Sequence, residues 1–521
     1  MPKRFNIAGP CNPADHYMLP PERRLRGVRD LIDEKAYFVI HAPRQVGKTT
    51  CFRALASSLT AEGRYAALLA SCETGQEAGP DFEAGIAAVL DAIRQAAINQ
   101  LPEPLRPPGA EPAVPAATRL LDMLSRWSRE SPLPVVLFLD EIDSLRDAVL
   151  VSALRQLRTG FPDRPGSFPY SAALIGLRDV RDYRMEVRPE GRTLGTSSPF
   201  NIKVESLTIR NFTVDEVAEL YGQHTAETGQ IFTPEASALA FDLTGGHPWL
   251  VNALAREAVE RLAPDPAVPI TATVLETAKE ALIQRWDTHL DSLMDRLREA
   301  RVRRIIEPII AGELLPAGAL DDDVQFVQDL GLVTEGPRGL QIANPIYREV
   351  IPRALTNVLQ KSLIVPGQSS VAPDGRLLFG QLLADFRLFW CQNAESFLAR
   401  SPYSEAAAQL VFMAFLHKVV NGGGFIDREF AVGSGRVDLC LRWPYPGGVE
   451  RYAMELKVWR DRRSDPLDEG LTQLAEYLTR LGLDRGALIL FDARSTAKDL
   501  PERCTEYEEV RQGLQIKVLR L

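Results

Sequence analysis

The chain has 521 residues, 45% hydrophobic and 25% charged, with a formal net charge of −9; this length exceeds a single core and implies three or four globular domains. The acidic balance excludes binding of nucleic acid through overall charge, so any such surface must be a local basic patch. Cys11, Cys51, Cys72, Cys391, Cys440 and Cys504 form no Cys-x-x-Cys pair, and no apolar run nears the ~18 residues of a membrane span, so a reducing, cytoplasmic setting without zinc, disulfide framework or membrane is expected.

Residues 1–36 are rich in turn formers. From Ala36 the pattern becomes short apolar runs, "AYFVI", "YAALLAS", "VVLFLD" and "SAALIGL", separated by helical stretches such as "GIAAVLDAIRQAAI". Such alternation predicts a parallel sheet covered on both faces. "LPEPLRPPGAEPAVP" and "RPEGRTLGTSSPF" read as surface insertions. Beyond "NIKVESLTI" the chain turns helical: "TVDEVAELYGQHTAETG" has an N-cap threonine and a terminal glycine, and the segment 233–263 reads as two helices joined at Gly245-Gly246. "GLVTEGPRGLQIANP" reads as two short strands around a Pro-Arg-Gly turn, suited to the wing of a winged helix, and "VPGQSSVAPDGRL" is a linker. Helices to about Val420 are followed by "REFAVGSGRVDLCLRW", "RYAMELKVW", the helix "DEGLTQLAEYLTRLG" and the strand "RGALILFD". The expected division is 1–205, a nucleotide-binding core; 206–285, a helical lid; 286–358, a winged helix; 359–375, a linker; and 376–521, a separate α/β domain.

"HAPRQVGKTT" joins the first apolar strand to a helix. It meets the phosphate-loop pattern G-x-x-x-x-G-K-[ST] with Ala42 at the first position, followed by Pro43, Arg44, Gln45, Val46, Gly47, Lys48 and Thr49, with Thr50 next. Gly47 lets the backbone curl around phosphates, and the loop amides and helix N-terminus face negative charge. Lys48 would reach the β- and γ-phosphates and Thr49 would ligate Mg²⁺. Ala42 costs little unless that position needs positive φ. "VVLFLDEIDSL" supplies the second half: Asp140 would hold Mg²⁺ and Glu141 would orient the attacking water. An acidic helix start is the plainer reading of that pair.

With "FNIAGP…DHYMLPPERR" and "TGGHPWLVNAL", these motifs make residues 1 to about 355 resemble AAA-like P-loop ATPases of the archaeal-ATPase and STAND group. The resemblance implies a P-loop NTPase parallel sheet with a helical lid and a winged helix, ATP and Mg²⁺ as ligands, and possible homo-oligomerisation on ATP binding. It makes Gly246-His247-Pro248 similar to a Gly-x-Pro lid motif, with Pro248 near the adenine. It also puts Arg178 on the sensor strand, although a plain surface arginine fits there too. Arg301, Arg303 and Arg304 are clustered in the winged-helix segment, for which packing on the ATPase core is favoured over DNA reading.

In "YAMELKVWR", Met454, Leu456 and Val458 alternate with Glu455 and Lys457, as in a strand with one apolar face. The polar face is either solvated or a metal site. A hairpin turning at Gly447-Gly448 would set Asp438 opposite Lys457 and diagonal to Glu455. Asp438 and Glu455, with the Leu456 carbonyl, could then hold Mg²⁺ or Mn²⁺, and Lys457 would position a water or offset charge. Gln473 and Tyr477 share a helix face. Residues 376–521 thus resemble the RecB-like branch of the PD-(D/E)xK nucleases, which implies a restriction-endonuclease-like α/β fold and substrate-orienting roles for Gln473, Tyr477 and Glu405. Arg436, Arg442, Arg451, Arg460, Arg462 and Arg463 offer a phosphate-binding surface, and Trp443 and Trp459 could stack on bases. The expected function is an ATP-regulated DNase, in defence against phage or mobile elements by resemblance of architecture. The alternative is a nucleotide-controlled switch that binds nucleic acid or a partner protein without cutting.

Overall fold

The computed structural model describes residues 2–76, 81–109, 114–145, 147–177, 202–285, 296–310, 315, 322–337, 339–362, 370–398, 407–420, 424–432 and 435–521. They form two compact units, 1–282 with 320–332 and 283–319 with 333–521. Among the described residues no helix is long and apolar enough to cross a membrane.

The first unit is built on five parallel strands, β1 (Tyr37–His41), β2 (Ala66–Ser71), β3 (Val135–Asp140), β4 (Ser171–Gly176) and β5 (Lys203–Thr208), in the order β2-β3-β4-β1-β5. Successive strand residues point to opposite faces. Tyr37 and Val39 therefore pack under α3 (Phe82–Gln100), α4 (Ala116–Glu130) and α5 (Asp147–Gly160), while Phe38 and Ile40 meet α1 (Val28–Asp33) and α2 (Lys48–Ala61). Two-sided burial is why these runs are apolar without alternation. The sheet has the parallel α/β architecture of a P-loop NTPase, with β1 followed by the loop and α2 and with β3 one strand removed.

Four helices follow in the chain: α6 (Val214–Thr228), α7 (Pro234–Thr244), α8 (Pro248–Glu257) and α9 (Ala272–Arg285). Helix α6 starts in a capping box, in which the Thr213 hydroxyl accepts from the Glu216 amide and the Glu216 carboxylate accepts from the Thr213 amide. The N-terminal segment is pinned to these helices by a buried aromatic cluster of Phe5, Tyr17, Tyr221, His224 and Phe232. Trp249 Nε1 also donates to the Ile7 carbonyl at 2.8 Å.

In the second unit, α10 (Ala300–Ile310) precedes the hairpin β6 (Val333–Gly336) and β7 (Gly339–Ile342). The helix α11 (Asp322–Asp329), between them in sequence, belongs to the first unit. Then come α12 (Pro345–Ser362), α13 (Phe379–Leu398), α14 (Ala407–Val420) and a mixed sheet of β8 (Phe425–Val432), β9 (Gly435–Tyr445), β10 (Gly448–Trp459), β11 (Arg485–Asp492), β12 (Thr505–Arg511) and β13 (Leu514–Arg520), ordered β12-β13-β11-β10-β9-β8. The pairs β10–β11 and β11–β13 are parallel. One face packs on α13 and α14 through Leu439, Leu441, Met454 and Leu456, and the other on α15 (Leu467–Leu481) through Cys440, Ala453, Leu474 and Leu478.

One expectation changes here, the register of the β9–β10 hairpin. "GRVDLCLRW" is a strand as expected, and it pairs antiparallel with β8 before it. The chain ends in a second hairpin, β12 and β13, whose Gln512 and Gly513 both take positive φ, 54° and 79°, as a tight primed turn requires. The loop between β9 and β10 is Pro446-Gly447, with Tyr445 opposite Gly448 at φ 139°. Moving a hairpin loop by one residue moves partners by two, so the register that places Leu439 opposite Met454 aligns Asp438 with Glu455, not with Lys457.

Candidate nucleotide and metal sites

The loop after β1 turns through Gln45 at φ 60° and Gly47 at φ 91°, the N-cap of α2. Ala42 is not among the positive-φ residues; its methyl is buried in the core beside Val46, which explains why alanine serves at that position. Arg44 and Gln45 are exposed. Pro43 lies beneath Gly331, where a Cβ would come within 2.6 Å of Pro43 Cγ, and the neighbouring His41 faces Asp329 at the end of α11 at 3.5 Å. Lys48 Nζ donates to the Ala42 and Pro43 carbonyls at 2.7 and 2.8 Å. Burial pulls its pKa down to about 8 against the pull of Asp140, Asp143 and Glu141. The Thr50 hydroxyl accepts from the Cys11 amide at 3.0 Å, so it ties the N-terminal segment to α2.

Thr49 Oγ1 donates to Asp140 Oδ2 at 2.6 Å, across β4 from the loop. Asp140 is 2% exposed, and burial raises its pKa despite the Thr49 hydroxyl and Lys48. Glu141 takes φ 53°, its amide donates to Asp140 Oδ1 at 3.0 Å, and Ser71 Oγ donates to its Oε2 at 3.1 Å. Burial, Glu73 and Asp140 raise the Glu141 pKa, and the Ser71 hydroxyl opposes them. Ser71, the last residue of β2, is a site residue the sequence reading missed. Its signal is the parallel register, which sets Ser71 beside Asp140.

At the joint between α7 and α8, Gly246 has φ 69° and its carbonyl accepts from the Phe212 amide at 2.9 Å. His247 is the N-cap of α8 and buried, and Pro248 occupies the first turn, where a missing amide costs nothing. Arg178 lies outside the described residues.

In the second unit, Asp438 Oδ2 accepts from the Leu456 amide at 2.8 Å. Lys457 Nζ sits 3.1 Å from Glu455 Oε1 and donates to Gln473 Oε1 at 2.6 Å. The structure therefore brings Asp438, Glu455, Leu456, Lys457 and Gln473 together. Tyr477, one turn on, packs against the α15 hydrophobic cluster. Glu405 lies outside the described residues, as does the Arg436 side chain. Glu455 is 3% exposed, and Glu455 Oε2 has no hydrogen-bond partner among the described residues. Burial and then Asp438 push its pKa up to about 8, and Lys457 does not cancel them. Burial opposes the charge on Lys457, but Glu455 and Asp438 outweigh it and raise its pKa. Two carboxylates thus share one lysine, and the buried one, Glu455, favours its protonated form in the absence of a further cation.

The proposed basic and aromatic surface is reduced. Arg442 is committed to Asp427, with Nε and NH2 contacts of 2.6 and 3.2 Å. Trp443 is 6% exposed and donates to the Gly375 carbonyl, so it is a core residue and not a stacking platform. Trp459 carries the Arg494 guanidinium 3.2 Å from its ring centroid. Arg451, Arg462 and Arg463 are exposed, and Arg460 is half-buried.

No protein-family model and no curated protein matches the chain. Solved structures do match. A Walker-type ATPase of Pyrococcus abyssi is 14% identical, with 67% of this chain and 99% of that one covered and a TM-score of 0.48. The RuvB Holliday junction branch migration motor of Thermotoga maritima is 15% identical, with 63% and 93% covered and a TM-score of 0.34. Cdc6p of Pyrobaculum aerophilum is 13% identical, with 66% and 94% covered and a TM-score of 0.36.

Proposed function

We propose that the first unit binds and hydrolyses ATP and that its nucleotide state controls a metal-dependent phosphodiesterase site, acting on DNA, in the second. The observation that carries the reading is the 2.6 Å contact of Thr49 Oγ1 with Asp140 Oδ2, beside a lysine that closes the loop through the Ala42 and Pro43 carbonyls. Thr49 and Asp140 are hard oxygen donors and fit Mg²⁺. Mg²⁺ there offsets phosphate charge. Lys48 exchanges the Ala42 and Pro43 carbonyls for phosphate oxygens, and Glu141, steadied by Ser71, orients and polarises the attacking water. Gly246 and Pro248 bring the lid toward the adenine. The division into core, lid, winged helix, linker and nuclease-like domain is retained as part of the proposal, as is a role in defence against mobile elements.

In the second unit the unpartnered Glu455 Oε2, buried beside Asp438, fits Mg²⁺ or Mn²⁺. When bound there, a divalent ion would supply a more acidic water and would offset charge on a phosphate. Lys457, fixed by Gln473, orients the water or offsets the developing charge, and the exposed Arg462 and Arg463 contact backbone phosphates. One observation favours the alternative, a nucleotide-controlled switch that does not cut: Lys457 is already bonded to both Glu455 and Gln473.

The test incubates purified protein with linear, circular and single-stranded DNA, with and without Mg²⁺, Mn²⁺ and ATP. Metal-dependent cleavage that is lost in Asp438→Ala and Lys457→Ala, and altered in Lys48→Ala, supports the proposal. DNA binding without cleavage under every condition sinks the nuclease half and leaves the switch. Absence of ATP turnover sinks the first half.

A further inference from the structure

Arg24, in the "PPERR" run ahead of α1, is 8% exposed. A buried cation is costly unless a counter-charge meets it. Its Nε and NH2 donate to the Arg210 carbonyl at 2.9 and 2.6 Å, and its guanidinium lies 5.0 Å from the Phe212 ring centroid. No carboxylate among the described residues forms a salt bridge with it. Glu216, whose charge favours the Arg24 cation, is bound by Arg210 at 2.6 and 2.7 Å. NH1, which donates to no described residue, lies against Gly47, the N-cap of α2: a Cβ on Gly47 would come 3.3 Å from it.

The arrangement is therefore an arginine, nine-tenths buried and without a salt bridge among the described residues, with its NH1 edge at the N-terminus of the phosphate-loop helix. A helix N-terminus already attracts anions through its amides and dipole. For the arginine beside it, the cost of burial outweighs the help of Glu216, and a further anion would offset that cost. The other edge of the same guanidinium grips the carbonyl of Arg210, two residues before Phe212, whose amide bonds Gly246.

We infer that Arg24 is a nucleotide ligand: its NH1 edge donates to a phosphate oxygen of the nucleotide held over Gly47, while its Nε and NH2 edge stays on Arg210, joining phosphate binding to the lid. The inference rests on the nucleotide-binding reading above and adds a residue outside the loop. It also accounts for glycine at position 47 on steric grounds, since a side chain would displace NH1. Burial lowers the Arg24 pKa, and a phosphate neighbour would reverse that pull.

The experiment measures Kd for MgATP and MgADP, by titration calorimetry on the full chain, in wild type, Arg24→Gln, Arg24→Lys and the neighbouring surface change Arg23→Gln. Each variant is also melted with and without nucleotide. One charge-assisted bond to a phosphate corresponds to about a ten- to hundredfold change in Kd. Arg24→Gln should weaken both nucleotides by that factor and lose most of the nucleotide-induced rise in melting temperature, with Arg23→Gln unchanged. Lysine cannot hold Arg210 and reach past Gly47 together, so Arg24→Lys should weaken binding at least threefold, and it decides the matter should Arg24→Gln fail to fold. Wild-type protein that binds neither nucleotide overturns the underlying reading. Wild-type binding with Arg24→Gln or Arg24→Lys at wild-type affinity overturns the inference alone, as does a variant that melts lower without nucleotide yet keeps its Kd.

Discussion

Replacing Gly246 by alanine probes the joint between α7 and α8 and its bond to the segment that follows β5. The new Cβ would stand 2.0 Å from the Phe212 carbonyl oxygen and 3.2 Å from Phe241 Cε2. A backbone oxygen cannot swing away as a side chain can. The residue also sits at φ 69°, where an L side chain costs about 1–2 kcal/mol. Relief requires moving residues 211–213, which breaks the 2.9 Å bond from the Phe212 amide to the Gly246 carbonyl, about 1 kcal/mol more. The expected loss is about 3 kcal/mol, or roughly 5–10 °C in melting temperature for a unit of this size. Gly222→Ala is the matched control. It lies exposed inside α6 with nothing within 4 Å of its Cβ position, so alanine should stabilise by about 0.5–1 kcal/mol. Both are measured by calorimetry with urea titration. Equal melting temperatures for the two variants would refute the reasoning. Because the Phe212 ring carries Arg24, Gly246→Ala should also weaken MgATP binding more than its stability loss alone explains.

Lys48→Ala should lower ATP turnover by at least a hundredfold with little loss of stability, since it removes a charge and two bonds to loop carbonyls that solvent can replace; turnover within fivefold of wild type contradicts the role assigned to Lys48. Ser71→Ala removes the hydroxyl that holds the Glu141 pKa down, so the acid limb of the ATPase pH profile should move to higher pH, and an unmoved limb argues against Glu141 as the water-orienting group. Glu455 has a folded pKa of about 8 against an ordinary 4.5, so the folded state holds a proton the unfolded chain has lost. Its stabilising effect is complete below about 4.5 and disappears as pH rises through 8, and metal-free stability of the second unit in urea should fall over that window. Glu455→Gln should flatten the fall, and parallel slopes in both proteins would mean that Glu455 is not the titrating group. Because Mg²⁺ binding there requires the carboxylate, calorimetry at pH 7 in buffers of different ionisation heat should register proton release in wild type and none in Glu455→Gln.

The sequence alone determined what depends on neighbours in the chain. The buried runs of β1 to β4 announce themselves by unbroken apolarity, and "GKT" after such a run defines the loop, because Gly47, Lys48 and Thr49 act from consecutive backbone positions. The Thr213 N-cap and the Gly245-Gly246 joint are local in the same sense. The sequence also put Asp438, Glu455 and Lys457 on one face, since alternation has period two whatever the register. It could not give the register itself, because Pro446-Gly447 and Gly447-Gly448 are both acceptable loops and they differ by two residues in pairing. Nor could it tell that Trp443 is core while Trp459 lies under Arg494, as both sit on strands and the difference is what packs above them. The positions of Ser71 beside Glu141 and of Arg24 against Gly47 were decided by tertiary structure alone. Each pair is separated by a crossover or a loop, and only the folded sheet, with α1 and α2 laid against it, brings a distant hydroxyl and a distant guanidinium to the loop that the sequence had already marked.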